Sequence, residues 1–418
     1  TCPALALYEV YDLGLVGSPD PSNVPNEQEE YKRPFNGPFG INASSIIAGV
    51  DQNNIKFFDG ASPINDSRNL FGEALEVGNI DLLGNVIGSY KHISGNIRAF
   101  ILSDTSTSLE PLQMVTGGII SIATDIVQSD TNKTDIVGYT GIQLSTTDPV
   151  VYRATLWVDG IPQILGTLGT LGPQEASKAV AVNSSATVVG ESSGSVIFNN
   201  APFALRRAFV WDQGVFTEIG NAPAVCKPLW SAPHDINSLG RVVGGTESAQ
   251  VVQTDRYCAG PTVGFFWDKL NPQFAELPRF TQNGSTLEVR TAFAQAINDF
   301  GDIVGVASLN TNLAFGSIAV MWKKNASSTY TEIADLNLQI PSNSGWVLQD
   351  AVDINNIGQI IGIGRLNGVQ HAFILNPAGT PIKLPPPPVD NGPGTGPGRG
   401  DGTTSTSKKK KLGFFGSA

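Results

Sequence analysis

The chain has 418 residues, of which 41% are hydrophobic and only 15% charged, with 46 Gly, 27 Pro and a formal charge of −11. This composition suits many short strands joined by tight turns, and the acidic balance excludes a basic footprint for nucleic acid. No apolar run reaches the roughly 18 residues of a membrane-spanning helix. Three Cys exclude a disulfide miniprotein, and three His leave little for a histidine metal cluster.

The first 35 residues hold one strand-like stretch, Ala6 to Val16, which resembles the closing strand of the units that follow. Nothing precedes it to complete a unit. It is therefore expected to pair with the last unit, which would join the two ends of a ring and remove sheet edges.

Residues 36–386 read as seven repeats. Their first element is FGINASSIIAGV with Asn42, GNIDLLGNVIGS with Asp81, SDTNKTDIVGY, AVAVNSSATVVGES with Asn183, PHDINSLGRVVGGT with Asn237, FAQAINDFGDIVGVA with Asn298 and AVDINNIGQIIGIG with Asn355. The Asn or Asp caps a turn, glycine supplies a positive φ, and β-branched residues carry the return strand to a closing glycine. The closing glycines run from Gly49 through Gly88, Gly138, Gly190, Gly244 and Gly305 to Gly362. A second element follows: RAFIL at Arg98, RATLW at Arg153, RAFVW at Arg207, GFFW at Gly264, AVMW at Ala319 and HAFIL at His371. A third is a short strand such as VFTEIGN, TYTEIADL or PIKL. Four strands in about 40–60 residues predict a propeller blade. The fold expected is an all-β propeller of seven blades, closed by the N-terminal strand.

These units resemble the HAF repeats of bacterial extracellular proteins, through His371-Ala372-Phe373 and its counterparts. The resemblance implies secretion or display on the surface of a Gram-negative bacterium, and a β-rich repeat fold. It implies no activity. Residues 387–418 are of different material, rich in Pro, Gly, Ser, Thr and Lys, and read as a flexible tail. The tail loosely resembles a C-terminal surface-sorting signal. It contains Arg399-Gly400-Asp401, a tripeptide able to engage adhesion receptors.

Chemistry-bearing motifs are few. Gly190 to Gly194 fits G-x-S-x-G, but a nucleophile elbow needs a following helix and the sequence continues as strand. Cys226 and Cys258 flank the fifth repeat's hairpin and are the disulfide candidates in an oxidising compartment. His234 falls in a repeat turn beside Asp235. No catalytic, cofactor-binding or metal residues stand out. A structural calcium among the Asp- and Asn-rich turns is the one cofactor left open, without a position. The function expected is a non-enzymatic module presenting loops to a glycan or protein surface, with no nucleic-acid partner and no membrane span. One alternative is a filament formed by exchange of the N-terminal strand. Another is a hydrolase or lyase with its site in the central channel.

Overall fold

In a computed structural model, residues 7–16, 38–51, 54–64, 74–103, 106, 108–145, 147–172, 175–198, 201–220, 227–228, 230–248, 257–258, 262–272, 274–279, 291–308, 316–325 and 329–384 are described. Among them the chain is almost entirely strand, with one 3-10 turn at Leu336–Gln339. Among the described residues, no helix is long and apolar enough to cross a membrane. The described residues fall within the compact unit Thr1–Pro385.

The strands form antiparallel meanders of four. The first is Pro38–Ile41, Ile46–Asp51, Asn54–Asp59 and Ser62–Pro63. The second is Ala74–Ile80, Val86–Lys91, Ile97–Leu102 and Glu110–Pro111. The third is Gly118–Gln128, Thr134–Ile142, Val151–Val158 and Ile161–Gly166. The fourth is Ala176–Val182, Val188–Phe198, Ala201–Asp212 and Val215–Ile219. The fifth is Ser231–Ile236, Arg241–Glu247, Thr262–Asp268 and Phe274–Glu276. The sixth is Thr291–Ile297, Ile303–Ser308, Ser317–Lys324 and Tyr330–Asp335. The last has Trp346–Ile354, Ile360–Leu366 and Val369–Pro377 in sequence. Its fourth strand is Tyr8–Leu15, antiparallel to Val369–Pro377 from Tyr8 opposite Pro377 to Leu15 opposite His371. The fold is a β-propeller.

The N-terminal strand is the outer strand of the last meander, the unit with which it was expected to pair. PIKL (Pro381 to Leu384), expected as that outer strand, is irregular. Beyond Gly190 the chain forms an extended hairpin, from Val188 opposite Trp211 to Phe198 opposite Ala201.

The first strand of each meander packs against the first strand of the next, and that of the last against that of the first. These inner strands therefore surround the axis. An apolar core fills each seam between neighbours. Phe57 and Phe100 fill the first seam, Ile87 and Trp157 the second, and Val137 and Phe209 the third. Val210 and Phe265 fill the next, then Val243 with Trp322, Met321 with Phe373, and Ile374 with Ile47. Burying each such side chain stabilises the fold by about 1.5–3 kcal/mol.

The closing glycines have a steric cause. A Cβ on Gly305 would meet the Phe293 carbonyl oxygen, and on Gly362 the Asp350 carbonyl oxygen and the Phe373 ring. Each inner strand carries a β-bulge beside this point, for example between Ala294 and Ala296. The bulge pushes a carbonyl into the space a side chain would need. Positive φ belongs instead to the turn, at Gly84, Gly240, Gly301 and Gly358 and, with residues other than glycine, at Ser45 and Ala186.

Candidate functional site

The capping residues perform two jobs. The Asn298 Oδ1 accepts from Asp302 N within its own turn, while its Nδ2 donates to the Asn355 carbonyl of the next meander. Asn355 Nδ2 donates to the Asn42 carbonyl, Asn42 Nδ2 to Asp81, Asn183 Nδ2 to Asn237, and Asn237 Nδ2 to Asn298. A belt of side-chain amides thus ties neighbouring meanders at one end. Asp81 caps its turn through Leu83 N and Asn85 N but has no amide to pass on. Asn42, Asp81, Asn183, Asn237, Asn298 and Asn355 each accept backbone N–H groups of their own turn, and the five Asn add a link to the next meander that sequence spacing did not reveal.

One step inward lies a second set, which sequence reasoning missed. At the bulge of the inner strands the residues are Gly40, Asn79, Asp125, Ala181, Asp235, Ala296 and Asp353. Three carboxylates thus alternate with small or amide residues around the axis. Each carboxylate accepts from its own strand and from the next meander. Asp235 Oδ1 accepts from Ile236 N at 2.7 Å, and Oδ2 from Ile297 N at 2.8 Å. Asp353 Oδ1 accepts from Ile354 N at 2.8 Å, and Oδ2 from Ile41 N at 3.0 Å. Asp125 Oδ1 accepts from Ile126 N and from Asn79 Nδ2, and its Oδ2 from Val182 N at 2.8 Å. The signal was present in the aligned repeats as a column two residues before the turn Asn. In the third repeat the inner strand runs two residues longer, to Ser129, which displaces Asp125 from that column.

The electrostatics follow from crowding three carboxylates inside protein. Burial pushes Asp125 up to about 6; its three hydrogen-bond donors oppose the rise and the charge of Asp353 adds to it. Burial and then Asp353 push Asp235 up to about 7, with Asp125 adding to the rise. The charge of Asp353, which weighs more at Asp235 than the hydrogen bonds there and less at Asp125, sets the order together with the third donor at Asp125. Asp125 is buried, whereas Asp235 and Asp353 retain partial solvent access.

His234 is in the inner strand and not in a turn. Its Nδ1 lies 2.8 Å from the Ala294 carbonyl of the next meander, and its ring is tilted on Phe293 at 5.9 Å. Thr124 makes the equivalent bond to the Ala179 carbonyl. Gln295 holds the corresponding bulge position in the sixth meander, is buried, and has an Nε2 without a partner. Among the described residues, no group of three or more His, Cys, Asp or Glu side chains is placed to hold a metal ion. Cys226 lies outside the described residues, and Cys258 is described only by its backbone in Tyr257–Cys258. Arg399, Gly400 and Asp401 also lie outside them.

No family model and no curated protein matches the chain. Solved structures do. A gluconolactonase from Xanthomonas campestris is 9% identical, with a TM-score of 0.38, covering 89% of this chain and 91% of that one. The β-propeller domain of the Trilobed protease from Pyrococcus furiosus, described as having an open velcro topology, is 9% identical, with a TM-score of 0.44, covering 83% and 94%. An acylaminoacyl peptidase from Pyrococcus horikoshii is 10% identical, with a TM-score of 0.39, covering 79% of this chain and 49% of that one. The likeness is one of fold, and no residue role passes through it.

The expectation of a non-enzymatic module presenting loops to a glycan or protein surface is corrected. Among the described residues, the carboxylates raised furthest toward neutrality, Asp125 and Asp235, sit at the inner-strand bulges around the axis and not in the turns that present loops. The filament reading loses its free strand as well, since Tyr8–Leu15 pairs within its own chain.

Proposed function

We propose that the chain is a hydrolase whose acid–base chemistry is run by the axial carboxylates. The carrying observation is that Asp125, Asp235 and Asp353 share one inner-strand position, with two of them shifted to near neutrality. Two carboxyl groups whose environments separate their pKa values supply an acid and a base at one pH. Asp235, at about 7, holds a proton near neutral pH and serves as the donor to a leaving oxygen. Asp125, at about 6, is mostly ionised there and its charge helps keep Asp235 protonated, while Asp353, which retains solvent access, activates water. In this reading the meanders are seven blades of a closed ring around the site. The extracellular setting that the HAF-repeat resemblance implies belongs to the same proposal.

The test is turnover of a panel of esters, lactones and polysaccharides, with Asp235→Asn and Asp125→Asn beside the unaltered protein. A rate that peaks between about pH 6 and 7 and falls at least a hundredfold in Asp235→Asn is expected. Absence of turnover across the panel, or full activity in both variants, overturns the proposal.

A further inference from the structure

Alternate strands of a meander reverse direction, so the first-to-second and third-to-fourth turns lie at one end of the propeller. Five large apolar side chains stand exposed in the first-to-second turns there: Leu82, Leu83, Leu239, Phe300 and Ile357. Phe300 is 71% exposed. Leu239, Phe300 and Ile357 belong to three consecutive meanders. Their turns are tied laterally by the amide belt and by Ser238 to Asp299 and Asp299 to Asn356. The belt continues through the first meander, with exposed Ala43 and Ser44, to Leu82 and Leu83. The remaining two turns are polar, with Asp130 and Thr131 in one and Ser184 and Ser185 in the other. The first-to-second tips therefore form an apolar crescent, and exposed Ile161, Val215 and Leu270 add to the same face from third-to-fourth turns.

We propose that this crescent is the contact surface for a second copy of the chain, joined face to face about a two-fold axis. The tips expose on the order of 500 Å² of apolar surface, as much as the largest patch on a typical monomer. Doubled by a two-fold partner, this reaches about 1,000 Å², the lower bound for a specific interface. The flanking charges are of both signs: Arg241 pairs with Asp268, Lys269 with Asp212, and Lys383 with Asp59. A surface carrying both signs complements its own copy. Asp299, beside Phe300, stays ionised: burial disfavours its charge, but the donors Ser238 and Asn356 and the Arg241 charge outweigh burial and hold its pKa down. That carboxylate beside Phe300 opposes an anionic membrane as the occupant. Two capping hydrogen bonds already fix the Asn237 and Asn355 turns, so little order is lost on contact.

Sedimentation velocity of the full chain across a dilution series tests this, with Phe300→Glu and Leu239→Glu beside Ile93→Glu. Ile93 is 99% exposed in a second-to-third turn at the opposite end. All three are surface positions, and far-UV circular dichroism with the thermal midpoint checks that each variant folds. The expected result is a dimer whose dissociation constant rises more than tenfold in Phe300→Glu and Leu239→Glu and is unchanged in Ile93→Glu. A monomer at every concentration overturns the proposal. So does a dimer indifferent to both crescent variants, or a monomer that co-sediments with phosphatidylcholine vesicles through Phe300.

Discussion

The seam between the sixth and last meanders and the seam between the second and third solve one problem differently. At the former, Asn298 caps its turn and its amide crosses to the Asn355 carbonyl. At the latter, Asp81 caps its turn equally well, but a carboxylate cannot donate. The link has moved inward there, to Asn79 Nδ2 donating to Asp125 Oδ1 at 2.7 Å. Capping alone therefore tolerates Asp or Asn, and crossing the seam requires Asn. The difference also explains why Asn79, and not a fourth small residue, stands beside Asp125.

The largest effect is expected from converting the first kind of seam into the second. Asn298→Asp keeps the cap but removes the donor and sets a carboxylate against the Asn355 carbonyl and Asp302. Asn298 is only 4% exposed, so the loss is expected to be about 3 kcal/mol in denaturant unfolding at neutral pH. Part of it should return in acid, where the new carboxyl protonates. A loss below about 1 kcal/mol would mean that the belt is incidental to seam strength.

A second, smaller effect concerns the inner fastening. Asp125 and Asp235 have folded pKa values of about 6 and 7, above the ordinary 3.8. The folded state therefore binds protons that the unfolded chain has already lost. Stability from these groups is full below about pH 4 and is lost as pH rises through 6 to 7. Other carboxylates act against the fold in acid, so the clean window is pH 5 to 8. The thermal midpoint should fall across it, and Asp235→Asn should flatten the fall. An unchanged slope in that variant would remove Asp235 from the pH dependence.

The sequence made the repeat legible because each unit restates the same local rules. Asn marks the turn, β-branched pairs mark the return strand, and the closing glycine marks a fixed distance. Even the N-terminal strand was legible, since Ala6 to Val16 lacked the elements that would make it a unit of its own. The cause of the glycine was not legible. It depends on a bulged carbonyl of a neighbouring strand, such as Phe293 against Gly305, which no local pattern contains. The axial carboxylates were hidden for a related reason. Asp235 and Asp353 look like ordinary polar residues near a turn, and only the ring brings them within reach of Asp125. Ile41 and Asp353, which share a hydrogen bond across the last seam, lie at opposite ends of the repeat array.

The smallest effect comes from repairing the second seam, and it shows why a single exchange is not enough. Asp81 Oδ2 accepts from Asn85 Nδ2 at 2.8 Å. Asp81→Asn alone would turn its new amide toward that of Asn85, forfeiting one hydrogen bond while gaining the chance of another across the seam. It should leave stability within about 0.5 kcal/mol of the original. Asn298 is free of this conflict because its neighbour four residues on is Asp302, which accepts from Asn298 Nδ2. Combining Asp81→Asn with Asn85→Asp reproduces that arrangement and frees the amide for the third meander. It also removes the buried Asp81 carboxylate, whose pKa burial raises against the donors of its own turn. The pair should stabilise by about 1 kcal/mol in denaturant unfolding, more than the sum of the two single exchanges. Strict additivity would show that the third meander, whose Ser129 sits two residues further along its strand, does not bring a carbonyl within reach.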